Sequence, residues 1–228
     1  MFDWFDKNQR WLRQGLKKSS GGLFRDYLLQ GLPDVNQRVS DSRFFVLDFE
    51  TTGLNVDKDH IISAGFTEIV NNRISLGSSE HHLVSTDFRL SSENVGIHHL
   101  TDDMVSQGMS VTALMQYLLK KMAGKVIIAH YQTIEFNFIQ QVCMKLYGLK
   151  LPMIILDTLQ IEKRKLERLN KPITSNQLRL FNLRKAYHLP RYNAHNAMED
   201  AIATAELFLA QISKKQTINK PLRLKDLI

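Results

Sequence analysis

Cysteine is nearly missing from this sequence: among 228 residues there is one, Cys143. A single thiol excludes an internal disulfide framework and any zinc site built from several cysteines. Its place in the apolar run FNFIQQVCMKLYG reads as a small core side chain. Glycine and proline are also scarce, at 11 and 5, which excludes collagen-like and linker-like chains. With 43% apolar and 23% charged residues, the composition is that of a globular protein of one large domain, or one domain with an appendage. No stretch approaches the roughly 20 uninterrupted apolar residues needed to cross a bilayer. The first residues, MFDWFDKNQR, carry acids where a signal peptide would carry bases and then an apolar core. A cytoplasmic protein with no membrane partner is expected.

What is present in excess is positive charge. Thirty Lys and Arg against 23 Asp and Glu give a net charge of +7 and a pI near 9.5, which favours polyanionic partners. Between Lys163 and Arg191 stand nine bases (163, 164, 165, 168, 171, 179, 184, 185 and 191) against Glu167 alone. Such a run is ordinarily a solvated helix face, and it is also a candidate track for a phosphate backbone.

The pattern divides the chain into three parts. Residues 1–42 form a helical, basic N-terminal extension. Trp4, Phe5, Trp11, Leu12 and Leu16 share one helical face, interspersed with Lys7, Arg10, Arg13 and Lys17, before SSGG breaks the pattern and a second helix follows over about Leu23 to Leu29. Packing of this amphipathic face on the body is the reading, with a membrane surface as the alternative. Residues 43–212 form the main domain, and 213–228 a short basic tail that is either a tether or a frayed end. Within the domain, RFFVLDF suits a buried central strand, and HIISAGFTEIV turns at Asn71-Asn72 into RISLGSSEHHLV. A helix over SVTALMQYLLKKMAG, a strand at KVIIAH and a long helix to Tyr147-Gly148 follow. Helices then dominate: DTLQIEKRKLER, TSNQLRLFNLRKAYHL and AHNAMEDAIATAELFLAQI. Antiparallel strands first and crossovers after predict an α/β fold, a mixed sheet with helices on its faces.

The first strand ends in Asp48-Phe49-Glu50, and alternate strand residues share a face, so two carboxylates project together among apolar neighbours. They repel each other and lose hydration unless a cation sits between them, and hard oxygen ligands suit Mg²⁺ or Mn²⁺. Thr51-Thr52-Gly53 then offers a tight turn with hydroxyls. Between Val105 and Leu156 the only acid is Glu135, at the start of a helix, where a carboxylate can simply complement the helix dipole. The last candidate is Asp200, five residues after His195. Five helical residues offset the two side chains by about 140° and 7.5 Å, placing His195 at the helix mouth while Asp200 faces the sheet. Beside a metal cluster, His195 is a candidate general base.

DFETTG at 48–53, AHYQTIEFNFI at 129–139 and HNAMEDAIATAELF at 195–208 together resemble, in order and spacing, the three motifs of the DEDDh exonucleases. These DnaQ-like proteins belong to the ribonuclease H-like superfamily and include a proofreading subunit of bacterial DNA polymerase III. GIHHLT at 96–101 and Leu156-Asp157-Thr158 add weaker matches. The resemblance implies a ribonuclease H-like fold, and two divalent ions, Mg²⁺ or Mn²⁺, held by Asp48, Glu50, Glu135 and Asp200. It also implies water deprotonated by His195, and contact of Thr51, Thr52, Leu54 and His98 with the terminal nucleotide. The family's tyrosine variant places its phenol four residues before the last Asp, where this chain has Asn196. Two positions depart from the family pattern: Glu135 stands where Asp is usual, and Tyr131 where Asn is usual.

The implied activity is 3′-5′ exonucleolytic release of mononucleotides, most readily from single-stranded DNA, in company with replication or repair proteins. An exoribonuclease uses the same motifs, and an exonuclease-like domain can also serve as a non-catalytic accessory subunit. QLRLF at 177–181 resembles the peptide by which bacterial proteins bind the sliding clamp, but it lies in a predicted amphipathic helix with Leu178 and Phe181 at core spacing.

Overall fold

The computed structural model describes residues 2–86, 88, 100–192, 196–215 and 221–228. Two helices, α1 (Phe2–Lys18) and α2 (Gly22–Leu29), precede the strands β1 (Phe44–Thr51), β2 (Ile61–Val70) and β3 (Arg73–Leu83). Then come α3 (Asp102–Ser106), α4 (Val111–Met122), β4 (Val126–Ala129), α5 (Thr133–Tyr147), β5 (Ile155–Asp157) and α6 (Thr158–Arg168). After them lie α7 (Leu180–Ala186) and α8 (Ala197–Lys215). The sheet order is β3-β2-β1-β4-β5, antiparallel between β1, β2 and β3 and parallel between β1, β4 and β5. This is the mixed sheet with flanking helices that the pattern predicts.

Strand β1 is central because both of its faces are apolar. Phe45, Leu47 and Phe49 pack with Phe66, Leu118, Phe138 and Ile139, on the side of α4 and α5. Phe44 and Val46 face Ile128, Ala205 and Phe208, on the side of α8, and the Phe44 and Phe208 rings lie 5.1 Å apart. Period-2 alternation continues the second series through Asp48 and Glu50, so both acids emerge on the α8 side of the sheet. The β2–β3 hairpin turns at Asn71 and Asn72, whose positive φ values (52° and 57°) are those of a two-residue turn that matches strand twist.

Both ends of the chain are integral to the packing. Phe24, Tyr27 and Leu28 are buried in the same core as β1, with Trp4, Leu12 and Leu16 against them. The Asn8 Oδ1 accepts a hydrogen bond from the Met153 amide at 2.8 Å, and the Tyr27 hydroxyl donates to the Pro152 carbonyl at 2.8 Å. The basic side chains of Lys7, Arg10, Arg13 and Lys17 remain exposed. At the other end Leu222, Leu224 and Leu227 join Val39 in the α8-side core, and the Val39 amide donates to the Leu222 carbonyl. Residues 221–228 are thus docked, against the tether or frayed end that the sequence pattern admits.

One expected helix is shorter than its apolar spacing predicts. TSNQLRLFNLRKAYHL is helical only over α7, preceded by a 3₁₀ turn at Asn176–Leu178, and Arg179 between them is extended (φ −63°, ψ 145°). Leu178 and Leu180 are both buried, and in a continuous helix two such residues would point about 200° apart. An extended residue between them lets both reach the core and turns Arg179 outward.

Helix α8 approaches the sheet closely. Alanines 197, 201, 203 and 205 are all fully buried, and Gly65 of β2, paired with Asp48 across the strands, lies under the helix start. A Cβ at Gly65 would stand 2.0 Å from the Ala197 carbonyl carbon and 2.1 Å from the Met198 nitrogen. Backbone cannot rotate away as a side chain can. Gly65→Ala is therefore expected to cost about 1–3 kcal/mol or more in thermal denaturation and to abolish activity by lifting Asp200 off β1. Gly77→Ala, with nothing within 4 Å, should leave both close to wild type.

Candidate active site

Asp48, Glu50 and Asp200 converge where the end of β1 meets the first turn of α8, each offering an oxygen within 4.8 Å of the others. Glu50 and Asp200 are buried and Asp48 is partly buried. Helix α8 starts here because Asn196 caps it: its Oδ1 accepts from the Met198 and Glu199 amides at 3.1 and 3.2 Å. The position that carries a phenol in the tyrosine variant thus serves here as a helix cap.

Glu135 does not join this 4.8 Å group, yet it acts on it. It lies in the first turn of α5 and is 2% exposed, so it is a buried carboxylate and not a solvated dipole partner. Burial raises the pKa of Asp48 well above the ordinary range, with the charges of Glu135, Glu50 and Asp200 adding to the effect. Burial likewise raises Glu135 to about 8, although its own amide and that of Phe49 pull it down. Its Oε2 has no hydrogen-bond partner among the described residues. Four acids gathered out of water at one strand end form a donor set that fits hard divalent cations.

The loop from β4 into α5 is held by a residue the motifs leave without a role. Asp157, at the end of β5, accepts from the Tyr131 and Gln132 amides at 3.0 and 3.3 Å and from the Leu159 amide at 2.9 Å. Tyr131 has φ 64°, a left-handed conformation that Asn tolerates better than Tyr. The departure from Asn therefore places a bulky residue in a strained backbone position that Asp157 pins. His130, beside it, bonds the Thr158 hydroxyl through Nδ1 at 2.8 Å, and burial lowers its pKa to about 4, so it is neutral at physiological pH. On the sheet, the His81 Nε2 lies 2.6 Å from the Ser63 hydroxyl, and burial lowers its pKa despite the charge of Glu50.

Thr51 and Thr52 are committed to the turn after β1. The Thr51 hydroxyl donates to the Gly53 carbonyl at 2.8 Å, and the Thr52 hydroxyl donates to Asp59 at 3.1 Å while accepting the His60 amide. Leu54 is 70% exposed, with its apolar side chain open to a ligand. His195 and His98 lie outside the described residues. Sequence reasoning passes over Asp157 as an anchor and over His130, and it counts Arg179 only as one base of the run 163–191. The strand-end position of Asp157 carried a signal, whereas Arg179 was hidden by the expected helix.

This fold and this acid cluster define a ribonuclease H-like nuclease. The chain belongs to the exonuclease family of RNase T, whose match covers residues 45–208. It is 31% identical over 171 residues to the 3′-5′ exonuclease DinG of Staphylococcus haemolyticus, covering 75% of this chain and 18% of that one. It is also 29% identical over 191 residues to the PolC-type DNA polymerase III of Caldanaerobacter subterraneus, covering 82% and 13%. The chain thus spans less than a fifth of the length of these relatives. The nuclease domain of 3′hExo, a DEDDh family member bound to rAMP, shares the fold with a TM-score of 0.65 at 13% identity, covering 82% of this chain and all of that one.

The raised pKa of Glu135 yields a test of its role. The unfolded chain ionises this carboxyl near its ordinary 4.5 and the folded chain near 8, so cation-free protein loses stability as pH rises through that window. At pH 7 the penalty is on the order of 3 kcal/mol. Glu135→Gln should therefore raise the melting temperature in EDTA at pH 8 and flatten its pH dependence. A simple dipole partner would give a small loss instead.

Proposed function

We propose that this chain is a divalent-metal-dependent 3′-5′ exonuclease that releases mononucleotides from the 3′ ends of single-stranded DNA. The observation that carries the reading is the convergence of Asp48, Glu50 and Asp200 within 4.8 Å in the exonuclease fold, with Glu135 buried beside them. These four acids would hold the ions. Paired Mg²⁺ or Mn²⁺ would supply Lewis-acid stabilisation of the charge that builds on the attacking and departing oxygens. His195, directly before the Asn196 cap, would take the proton from the attacking water, and Asp157 would keep the Glu135 loop in place. Thr51, Thr52, Leu54 and His98 would contact the terminal nucleotide, with the Thr51–Asp59 turn fixing the backbone beneath it.

A single strand is favoured because the acids are recessed at a strand end. A paired terminus would have to unstack before its last phosphodiester reached them. DNA is favoured by the name of one relative, a PolC-type DNA polymerase III. An exoribonuclease is the second reading, supported by the rAMP-bound neighbour of the same fold. Action in the cytoplasm alongside replication or repair proteins is part of the proposal. Among the described residues no helix is long and apolar enough to cross a membrane.

The test is hydrolysis of matched single-stranded DNA, duplex DNA and RNA, with Mg²⁺, with Mn²⁺ and with EDTA. Mononucleotide release from single-stranded DNA, lost in EDTA and in Asp48→Asn, is the expected result. Release from RNA alone would transfer the assignment to the second reading. His195→Ala should slow turnover roughly 10²- to 10⁴-fold with substrate affinity nearly kept, and the wild-type rate should rise with pH as the imidazole becomes neutral. Near-normal turnover in His195→Ala would remove the general-base role.

A further inference from the structure

Of the nine bases between Lys163 and Arg191, seven fall into two groups in the structure, and Arg168 and Lys171 are exposed outside both. On α6, Lys165 bonds Glu162 at 2.8 Å and Tyr187 at 2.9 Å, Lys163 lies 4.0 Å from Glu167, and Arg164 donates to the Leu227 carbonyl. Arg184 is fully buried and bonds Glu206 at 2.7 Å. Lys163 thus has a partner on its own helix, while Arg164, Lys165 and Arg184 tie separate elements together. Arg179, Lys185 and Arg191 are exposed, and among the described residues no carboxylate pairs with them.

All three line two adjoining cavities. The first, about 420 Å³, is walled by Asp48 and Asp200 on one side and by His130, Arg179, Phe181 and Asn182 on the other. The second, about 590 Å³, shares Phe181 and Asn182 and continues past Lys185, His188 and Arg191. Arg179 reaches the first cavity because its extended backbone separates two buried leucines. Phe181 and Lys185, four residues apart on α7, lie on one face. The result is a trench that begins at the carboxylates, passes an arginine and a partly exposed aromatic ring, and leads away between exposed cations.

We propose that this trench, through Arg179, Phe181, Lys185 and Arg191, holds the single-stranded DNA behind the terminal nucleotide, with Arg179 on the phosphate nearest the acids. It rests on the exonuclease reading, which requires the rest of the strand to leave the acid cluster along the surface. Its chemistry is that of a single-strand path: cations for successive phosphates and a ring on which a base can stack.

The experiment is equilibrium binding of a fluorescent 20-nucleotide DNA strand in EDTA, across a salt series. The wild type would be compared with two triple variants of equal charge loss. The first, Arg179→Gln/Lys185→Gln/Arg191→Gln, removes the trench; the second, Lys7→Gln/Arg10→Gln/Arg13→Gln, strips the exposed face of α1. The trench variant should bind at least about 10-fold more weakly at low salt, with a salt slope reduced by about 2, since each single-strand phosphate contact contributes about 0.7. The α1 variant should lose far less. Equal losses in both variants, or a trench variant within about twofold of wild type, would overturn the proposal. Melting temperatures identify a variant that has unfolded, and the single change Arg179→Gln, at an exposed position, then serves in its place with a slope change near 0.7. Same-sequence RNA held more tightly than DNA would overturn the choice of DNA. A wild type that binds through the trench but cleaves nothing with Mg²⁺ or Mn²⁺ would sink the exonuclease reading while supporting the trench.

Discussion

The structure is organised around an unfavourable interaction. Asp48, Glu50, Asp200 and Glu135 are gathered at the end of the central strand, where burial and then the charges of the other three make Asp48 harder to ionise, and burial does the same to Glu135. The fold sustains this because the acids stand on apolar scaffolding of high density. Phe44 and Val46 anchor one face of β1, while Phe45, Leu47 and Phe49 anchor the other. Such an arrangement of acids fits divalent cations, which would relieve the repulsion. The melting behaviour of Glu135→Gln would reveal it as a property of the cation-free protein.

Much of this was legible in sequence because it depends on local spacing. The alternation in RFFVLDFE places the two acids on one face, and the structure puts them there. The order of strands and helices predicts the mixed sheet, which is what forms. Less legible were features that depend on what packs against what. Leu178 and Leu180 carry no mark that both must reach the core, so the segment reads as continuous helix and Arg179 as one more surface base. The run of nine bases over residues 163–191 likewise looks uniform, and only tertiary contacts separate its structural members from those that line the cavities. The distance of Glu135 from the tight group of three was equally out of reach of spacing arguments.

The family departures acquire physical content at the loop after β4. A left-handed residue precedes α5, and Tyr131 occupies it at a steric cost that Asn would largely avoid. Asp157 offsets that cost by accepting the amides of Tyr131 and Gln132 from the neighbouring strand. Glu135 follows four residues later in the first turn of α5, directly after the loop anchored at β5. The extra methylene and the unusual tyrosine thus flank a single loop-to-helix junction.

The close passage of α8 over Gly65 bears on how the chain becomes competent. Strands β1 to β3 are neighbours in sequence and pair through a short hairpin and an antiparallel meander, so they can assemble from nearby contacts. Helix α8 comes from more than 100 residues further along and supplies Asp200 only when its backbone settles onto the glycine. A chain with the meander formed and this helix undocked carries Asp48 and Glu50 but cannot close the cluster. Competence therefore requires the docked helix, and a chain holding the meander alone lacks the third carboxylate of the cluster.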